Sequence, residues 1–313
     1  MINGILDAKL VIPDFSWLKK TQDDSFDLID SYEDAVLPAG RELLLGLKNC
    51  MLDVERSLQE AVVDGIALLQ GRTFSNFKDP HILNSRIATV LRQQDQLRLR
   101  LMSQTRELQL FSLAAFEVAL PALEQKAGDK GAETEKLSQR LATLETKRDD
   151  IAHVISTFEK PSVFKAFKGL IPKEEDIDLI LAVTKDPSVT PELLKAASKR
   201  LSAYIDEFEK NITVSDLIAA RRGLDQKIAE AKKDLANSKR ALQVALDQLS
   251  ANKAIWGLES TKNDWLAQVR KVEQEWQSQA DALGSLSDPN AVTVALADLC
   301  NYLVAVRLSY ENA

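Results

Sequence analysis

The feature that most constrains this fold is the segment 215–281, which contains no proline. Apolar residues recur within it at an alternating spacing of four and three, which places them along one edge of a helix. At 1.5 Å per residue such a helix would extend about 100 Å, so its apolar edge needs a long partner helix. The edge positions are Leu224, Ile228, Ala231, Leu235, Ser238, Leu242, Ala245, Leu249, Asn252 and Trp256.

A second, shorter edge of the same kind lies at 133–160, and it predicts the partner helix. Its positions are Leu137, Leu141, Leu144, Arg148, Ile151, Ile155 and Phe158. We therefore predict two antiparallel coiled-coil arms, 133–160 and 215–281. The residues between them, 161–214, must then form a small helical head at one end of the arms.

The remaining sequence predicts an all-α protein, an elongated helical bundle or rod. Good helix formers dominate, and 11 glycines and nine prolines are few for 313 residues. We predict a body of 1–132 and 282–313 that packs on the arms. Within it we expect an irregular segment over 1–20, helices over 25–70 and 79–127, a break at 127–136, and a last helix over 289–311 capped by Asp288.

The head contains the most unusual stretch, EKPSVFKAFKGLIPKEEDIDLILAV at Glu159–Val183. Five apolar residues, spaced as one helical face, are followed by a second apolar run at 177–183 and a predicted helix at 191–210. Lysines flank the first face, which suits a membrane interface. Two interpretations stay open: these faces bury one another in a helical cap, or they contact a membrane. The five residues of the first face are Val163, Phe164, Phe167, Leu170 and Ile171.

Charge and motif content exclude several classes of function. A net charge of −7 and a pI near 5.2 argue against a nucleic-acid binder, which needs a clustered basic face. Neither His81 nor His153 has a neighbouring cysteine or an HExxH-like arrangement in the sequence, and the sequence contains no nucleotide-binding or hydrolase motif. We predict no enzymatic activity, no catalytic residues, no metal and no cofactor. Cys50 and Cys300 are expected to be buried free thiols, although a disulfide between them stays open.

The sequence was also compared with the patterns of signal peptides and transmembrane helices, and it matches neither. The first residues lack the basic and apolar regions of a secretory signal peptide, and no window matches the roughly 20 apolar residues of a transmembrane helix. We therefore expect a protein that is soluble when made and is exported, if at all, without a classical signal peptide.

The apolar stretch Glu159–Val183, flanked by two coiled-coil arms, resembles the α-helical pore-forming toxins of the cytolysin A type. Within that group the chain is most similar to the B component of the binary xenorhabdolysin toxins. The resemblance implies a component without catalytic residues that is secreted, joins a larger A component in a hetero-oligomeric pore, inserts head helices into the target-cell membrane and lyses the cell. The residues implied in insertion are Val163, Phe164, Phe167, Leu170, Ile171, Ile177, Leu179, Ile180 and Leu181.

Two other classes of protein fit a helical rod. The main alternative is a coiled-coil scaffold or adaptor that uses the head as a docking cap for a partner. A tethering or chromosome-organising rod is disfavoured because the sequence lacks a nucleotide-binding motif.

Overall fold

The computed structural model describes residues 11–36, 38–72, 80–171, 177, 190–202, 213–286 and 288–313. The predicted all-α class is confirmed for these residues, in which the β-structure is a single bridge between Leu170 and Thr213. The helices are α1 (Phe15–Tyr32), α2 (Pro38–Leu69), α3 (Pro80–Leu110), α4 (Ala114–Phe158), α5 (Pro161–Phe167), α6 (Pro191–Ser202), α7 (Val214–Gly284) and α8 (Pro289–Glu311).

The chain divides into two compact units. Unit 1 comprises Met1–Glu124 and Asp247–Ala313, and unit 2 comprises Gln125–Leu246. Helices α4 and α7 contribute residues to both units. Unit 1 contains the larger hydrophobic core, built mainly from α1, α2, α3, α8 and the second half of α7.

Helix ends with local capping signals lie close to their predicted positions. Helix α8 covers Pro289–Glu311 as predicted, and the Asp288 carboxylate accepts a hydrogen bond from the Ala291 amide at 3.0 Å. The predicted irregular N-terminal segment is wrong from Phe15 onwards, because Asp14 caps α1 by accepting from the Trp17 amide at 2.9 Å. The predicted helix 25–70 is two helices, and Pro38 begins the second.

The predicted break at 127–136 is also wrong, since α4 runs from Ala114 to Phe158. Glycine in a helix interior costs about 1 kcal/mol relative to alanine, so Gly128 and Gly131 weaken the helix. Packing outweighs that cost here: Ala127 is buried, and Thr134 bonds to a facing helix. The break in this region falls instead at 111–113, between α3 and α4.

Within unit 2, α4 and α7 pack antiparallel as predicted. The hydroxyls of Thr134 and Ser238 are hydrogen-bonded at 2.8 Å, and Lys232 Nζ lies 2.8 Å from a carboxylate oxygen of Glu145. Later residues of α4 therefore meet earlier residues of α7. The predicted α7 edge is buried or half-buried at Leu224, Ile228, Ala231, Leu235, Ser238, Leu242 and Ala245.

The core of unit 1 closes around Gly65 of α2. A Cβ atom at Gly65 would lie 2.8 Å from Leu303 Cδ1 and 3.1 Å from the Trp276 ring, so α2 approaches α7 and α8 closely only because this residue lacks a side chain. Trp276 is fully buried and donates its indole N–H to Gln94 at 3.0 Å, while Gln94 donates to the Gly65 carbonyl at 3.3 Å. The buried polar groups are thus satisfied locally.

The α3–α4 break contacts an ion pair on α7, formed by a buried lysine and a partly buried glutamate. Lys262, whose side chain is 1% exposed, lies 2.5 Å from Glu259 and donates to the Phe111 carbonyl. The second oxygen of Glu259 accepts from the Leu113 amide at 3.0 Å. The pair therefore satisfies backbone groups that lose their helical partners where α3 ends.

Helix α8 is the one described helix that is long and apolar enough, by length and composition, to cross a membrane, with a mean hydropathy of 1.6 over its best window. The expectation that no window meets this test is therefore wrong. Core helices of soluble proteins pass the same test, and the inner face of α8 is buried in unit 1. That face comprises Val292, Leu296, Leu299, Tyr302, Leu303 and Val306.

We predict that Gly65→Ala destabilises the protein by about 1–3 kcal/mol, because the new methyl group overpacks the contact with Leu303 and Trp276. Gly257→Ala is the matched control. Gly257 also lies inside a helix but has nothing within 4 Å of its Cβ position, so alanine there should stabilise by up to about 1 kcal/mol. Urea unfolding followed by circular dichroism measures both. Equal effects from the two substitutions would contradict the close approach at Gly65.

We also predict that Lys262→Met lowers the free energy of unfolding by about 1–3 kcal/mol, because the partly buried Glu259 carboxylate loses its cation and the Phe111 carbonyl loses its donor. The double variant Glu259→Gln, Lys262→Met should lose less than the sum of the two single losses. A double-mutant cycle in urea measures this coupling. Strict additivity would show that the pair does not act as a unit.

Candidate membrane-interacting head

The first segment of the head is a short helix that ends in a left-handed turn. Pro161 begins α5, where a missing N–H costs nothing. After Phe167 the backbone turns through Lys168 at φ 52° and Gly169 at φ 77°, and the Gly169 amide bonds to the Phe164 carbonyl at 3.2 Å. The predicted single helical face through Ile171 is therefore wrong: the turn places Leu170 and Ile171 beyond the helix.

The exit from this turn is tied to the start of α7. Leu170 pairs with Thr213 in the β-bridge, and the Val214 amide donates to the Gly169 carbonyl at 3.0 Å. Thr213 and Asp216 form a reciprocal cap: the carboxylate accepts from the Thr213 hydroxyl at 2.7 Å, and the Asp216 amide donates to that hydroxyl at 3.2 Å. The Asp216 carboxylate also accepts from the Thr213 amide at 2.9 Å, and the two bonds that Thr213 donates to it, the hydroxyl bond first, lower the pKa of Asp216.

The inner side of the head is a hydrophobic cluster shared by four helices, which we call the head cluster. Phe158 and Phe167 pack edge to face with ring centroids 6.1 Å apart. Val163, Phe167 and Ile177 are buried in it, so these predicted site residues come together. The head cluster comprises Ile151, Val154, Ile155, Phe158, Val163, Phe167, Ile177, Leu194, Ala197, Leu201, Val214 and Leu217.

The outer side exposes two of the predicted apolar residues. Phe164 is 49% exposed and Leu170 is 47% exposed, whereas Ile171 is half-buried against the head cluster. A Cβ atom at Gly169 would lie 3.3 Å from two carbons of the Phe164 ring, so this ring covers the left-handed turn. Lys165 and Lys168 are exposed beside it. We call Phe164, Lys165, Lys168 and Leu170 the outer patch.

The structure therefore divides the predicted face between two environments. Phe167 packs inward as expected, but Phe164 and Leu170 do not. The predicted residues Leu179, Ile180 and Leu181 lie outside the described residues. Sequence reasoning missed the turn, although glycine two residues after a short helix is the usual signal for a left-handed helix end.

Outside the head, the described part of the chain contains two cysteines and many carboxylates. No group of three or more metal-ligating side chains occurs among these residues. Cys50 and Cys300 are free thiols and half-buried rather than fully buried. Burial raises the pKa of both thiols, and Glu107 and Asp53 raise that of Cys50 further, so both remain protonated and weakly nucleophilic.

The fold is shared with α-helical pore-forming toxins. Among solved structures, the chain matches PaxB from Photorhabdus luminescens with a TM-score of 0.81 and 18% identity over 96% of each chain. It matches XaxB from Xenorhabdus nematophila with a TM-score of 0.80 and 14% identity over 96% of this chain and 99% of that chain. A chain of the XaxAB pore complex from the same organism matches at 0.69, with 14% identity over 96% and 98% of the two chains.

At these identities the likeness shows the fold. The predicted resemblance to the B components of xenorhabdolysin-type toxins is thus confirmed as a likeness of fold over nearly the whole chain. No family model matches the sequence, and neither does any curated protein.

We predict that Phe164 and Phe167 respond differently to a charge. Phe167→Asp removes a ring buried against Phe158 and places a carboxylate in the head cluster, so the head should lose about 3 kcal/mol or more. Phe164→Asp changes a half-exposed residue and should cost less than about 1 kcal/mol.

Limited proteolysis within 159–214, together with circular dichroism, measures both effects. Protease sensitivity that rises equally in the two variants would contradict the division of the face into buried and exposed sides.

Proposed function

We propose that this chain is the pore-forming component of a binary toxin that assembles with a larger partner subunit and inserts its head into a target-cell membrane. The observation that carries the proposal is the fold, which matches PaxB and XaxB over 96% of this chain and also a chain of a two-component pore complex. The activity is lysis by a pore and requires no catalytic group.

The inserting region is assigned to the apolar residues of the head. Val163, Phe167 and Ile177 lie in the head cluster, which holds twelve buried residues among those described and which insertion would dismantle. Phe164 and Leu170 are already exposed and need no rearrangement to reach a bilayer. The remaining residues assigned to insertion are Ile171, Leu179, Ile180 and Leu181.

Insertion of a single head is not sufficient for a pore. A spanning helix needs about 20 apolar residues, and neither apolar run of the head is that long. The charged residues between the runs would cost roughly 2.5–3.5 kcal/mol each if they faced lipid. In a ring of subunits they can face a water-filled lumen or a neighbouring subunit, so the proposed pore is an oligomer.

Membrane insertion on this scheme joins α4 to α5. The two helices are separated by Glu159 and Lys160, and Pro161 follows. A proline inside a helix removes one hydrogen bond and bends the helix. Helix α4 already contains Pro121 in its interior, so this chain tolerates such a bend. Lys168 and Gly169 would change at the same time from left-handed to right-handed helical backbone angles.

The proposed setting follows from the same scheme. The protein acts after export, is soluble before insertion, and then resides in the membrane of the target cell. The partner supplies the second type of subunit in the pore.

We predict that the purified chain alone causes weak or no leakage from erythrocytes or liposomes. Together with the larger component, which we expect a neighbouring gene to encode, leakage should rise by at least about tenfold, because the charged faces of the head need partner subunits to shield them. Full lysis by the chain alone at low concentration would remove the two-component proposal. A lack of leakage under every condition would favour the scaffold with a docking cap.

A polarity-sensitive dye locates the inserting element. In a Cys50→Ser, Cys300→Ser background, a dye on Leu170→Cys should shift to the blue when liposomes and the larger component are added. The matched control is a dye on Lys233→Cys, an exposed position of α7 in unit 2, which should stay in water. Pore formation without a shift at position 170 would assign insertion to another part of the chain.

A further inference from the structure

We propose that the outer patch makes the first membrane contact and that it selects anionic lipid headgroups. This inference rests on the proposed function, because it supplies the lipid class that the head meets before insertion. It concerns the closed head, in which the head cluster is still intact.

The apolar part of the outer patch is held out by the backbone. The Phe164 ring lies over Gly169, and a Cβ atom at residue 169 would be only 3.3 Å from two carbons of that ring. Leu170 is fixed next to it by the bridge to Thr213. The patch therefore presents an aromatic and an aliphatic side chain on a defined turn, and such side chains enter the headgroup region of a bilayer.

The described residues around this pair carry more basic than acidic side chains. Lys165 and Lys168 are exposed within the patch. The described ranges 159–171, 190–202 and 213–216 together carry six basic and three acidic side chains, although the whole chain has a net charge of −7. Basic residues near an anionic leaflet are attracted to it, and neutral lipid offers no such attraction. The ranges 172–176, 178–189 and 203–212, outside the described residues, add three basic and eight acidic side chains to the sequence of the head. The comparison of vesicles measures the combined effect of these acidic residues with the lysines.

Lys168 provides an independent indication. It is the one residue other than glycine with a positive φ among the described residues, at 52°. A left-handed backbone costs a residue with a side chain roughly 1–2 kcal/mol, and glycine or asparagine adopts it more easily. Folding alone therefore does not favour lysine at this turn. A local backbone cost of this kind often marks a position whose side chain serves function.

An anionic membrane fits this surface better than the other polyanions. Nucleic acid requires a larger clustered basic face, and the described head offers two lysines beside two apolar side chains rather than a basic groove. An acidic protein surface would satisfy the lysines but would leave Phe164 and Leu170 without an apolar partner. A charged bilayer satisfies both, because headgroups lie directly above the acyl chains.

The test measures partitioning of the whole chain, without the larger component, onto two kinds of vesicle. One is phosphatidylcholine alone, and the other is phosphatidylcholine mixed with phosphatidylserine. We expect clear co-sedimentation with the mixed vesicles only. Lys168→Asn removes the charge but tolerates the left-handed turn, so it should keep thermal stability and reduce the partition coefficient about fivefold. Lys165→Gln should act similarly, and the two together should reduce it about 25-fold.

The matched control removes two charges elsewhere in unit 2. Lys233→Gln with Lys239→Gln changes exposed α7 residues about 30 Å or more along the helix from Val214, and partitioning should stay within about twofold. Equal loss in this control would show that only net charge matters and would overturn the assignment to the outer patch. Equal binding of the unmodified chain to both kinds of vesicle would overturn the lipid selectivity.

Two further outcomes separate this inference from the proposed function. Leakage of neutral vesicles with the larger component, equal to that of mixed vesicles, would leave the pore proposal standing and overturn the lipid inference. Selective binding to mixed vesicles without leakage would leave the lipid inference standing and overturn the pore proposal. Inorganic phosphate, added as a competitor at constant ionic strength, should not displace the chain from mixed vesicles, because Phe164 and Leu170 still contact the bilayer. Displacement by phosphate would show that the lysines bind a free anion and would overturn the lipid inference.

Discussion

The packing of α7 against its partners is the constraint on which the rest of this structure depends. A helix of 71 residues carries one apolar edge along its length, and that edge must be covered. In unit 2 the cover is α4, and the antiparallel direction requires the intervening chain to reverse there. The small and polar edge residues Ala231, Ser238 and Ala245 let α4 approach closely, and the Thr134–Ser238 hydrogen bond satisfies a polar layer within the contact.

Elements governed by short-range signals could be predicted from sequence. The spacing of apolar residues indicated α7 and its pairing with α4, and Asp288 followed by Pro289 marked the start of α8. The prediction failed where tertiary packing outweighed local propensity. Gly128 and Gly131 indicate a break by composition, but the contacts of Ala127 and Thr134 keep α4 continuous. The interruption at 111–113 is satisfied by Glu259 and Lys262, far away in sequence, and its one local signal is Ser112, whose hydroxyl accepts from the Ala114 amide at 3.1 Å.

In the head, too, some side-chain positions could be predicted from the local sequence and others could not. Apolar spacing correctly grouped Val163 and Phe167 as one buried side. It misplaced Leu170, because a helical projection assumes that the helix continues beyond Phe167, and the left-handed residues Lys168 and Gly169 end that projection. It also misplaced Phe164, which lies inside α5 but is 49% exposed, with its ring beside Gly169. The exposed pair, and not the buried face, carries the inference about lipid contact.

The hydrogen bond between Thr134 and Ser238 also bears on how the chain folds, because it joins residues 104 positions apart. Bringing such distant segments together directly has a high entropy of loop closure. The head is closed through shorter separations: Phe158 at the end of α4 packs on Phe167 of α5, and Leu170 pairs with Thr213 at the start of α7. We expect folding to start there and to proceed away from the head, layer by layer, as each closed layer brings the next into reach. The same few residues would then be the first to assemble during synthesis and the first to separate at a membrane.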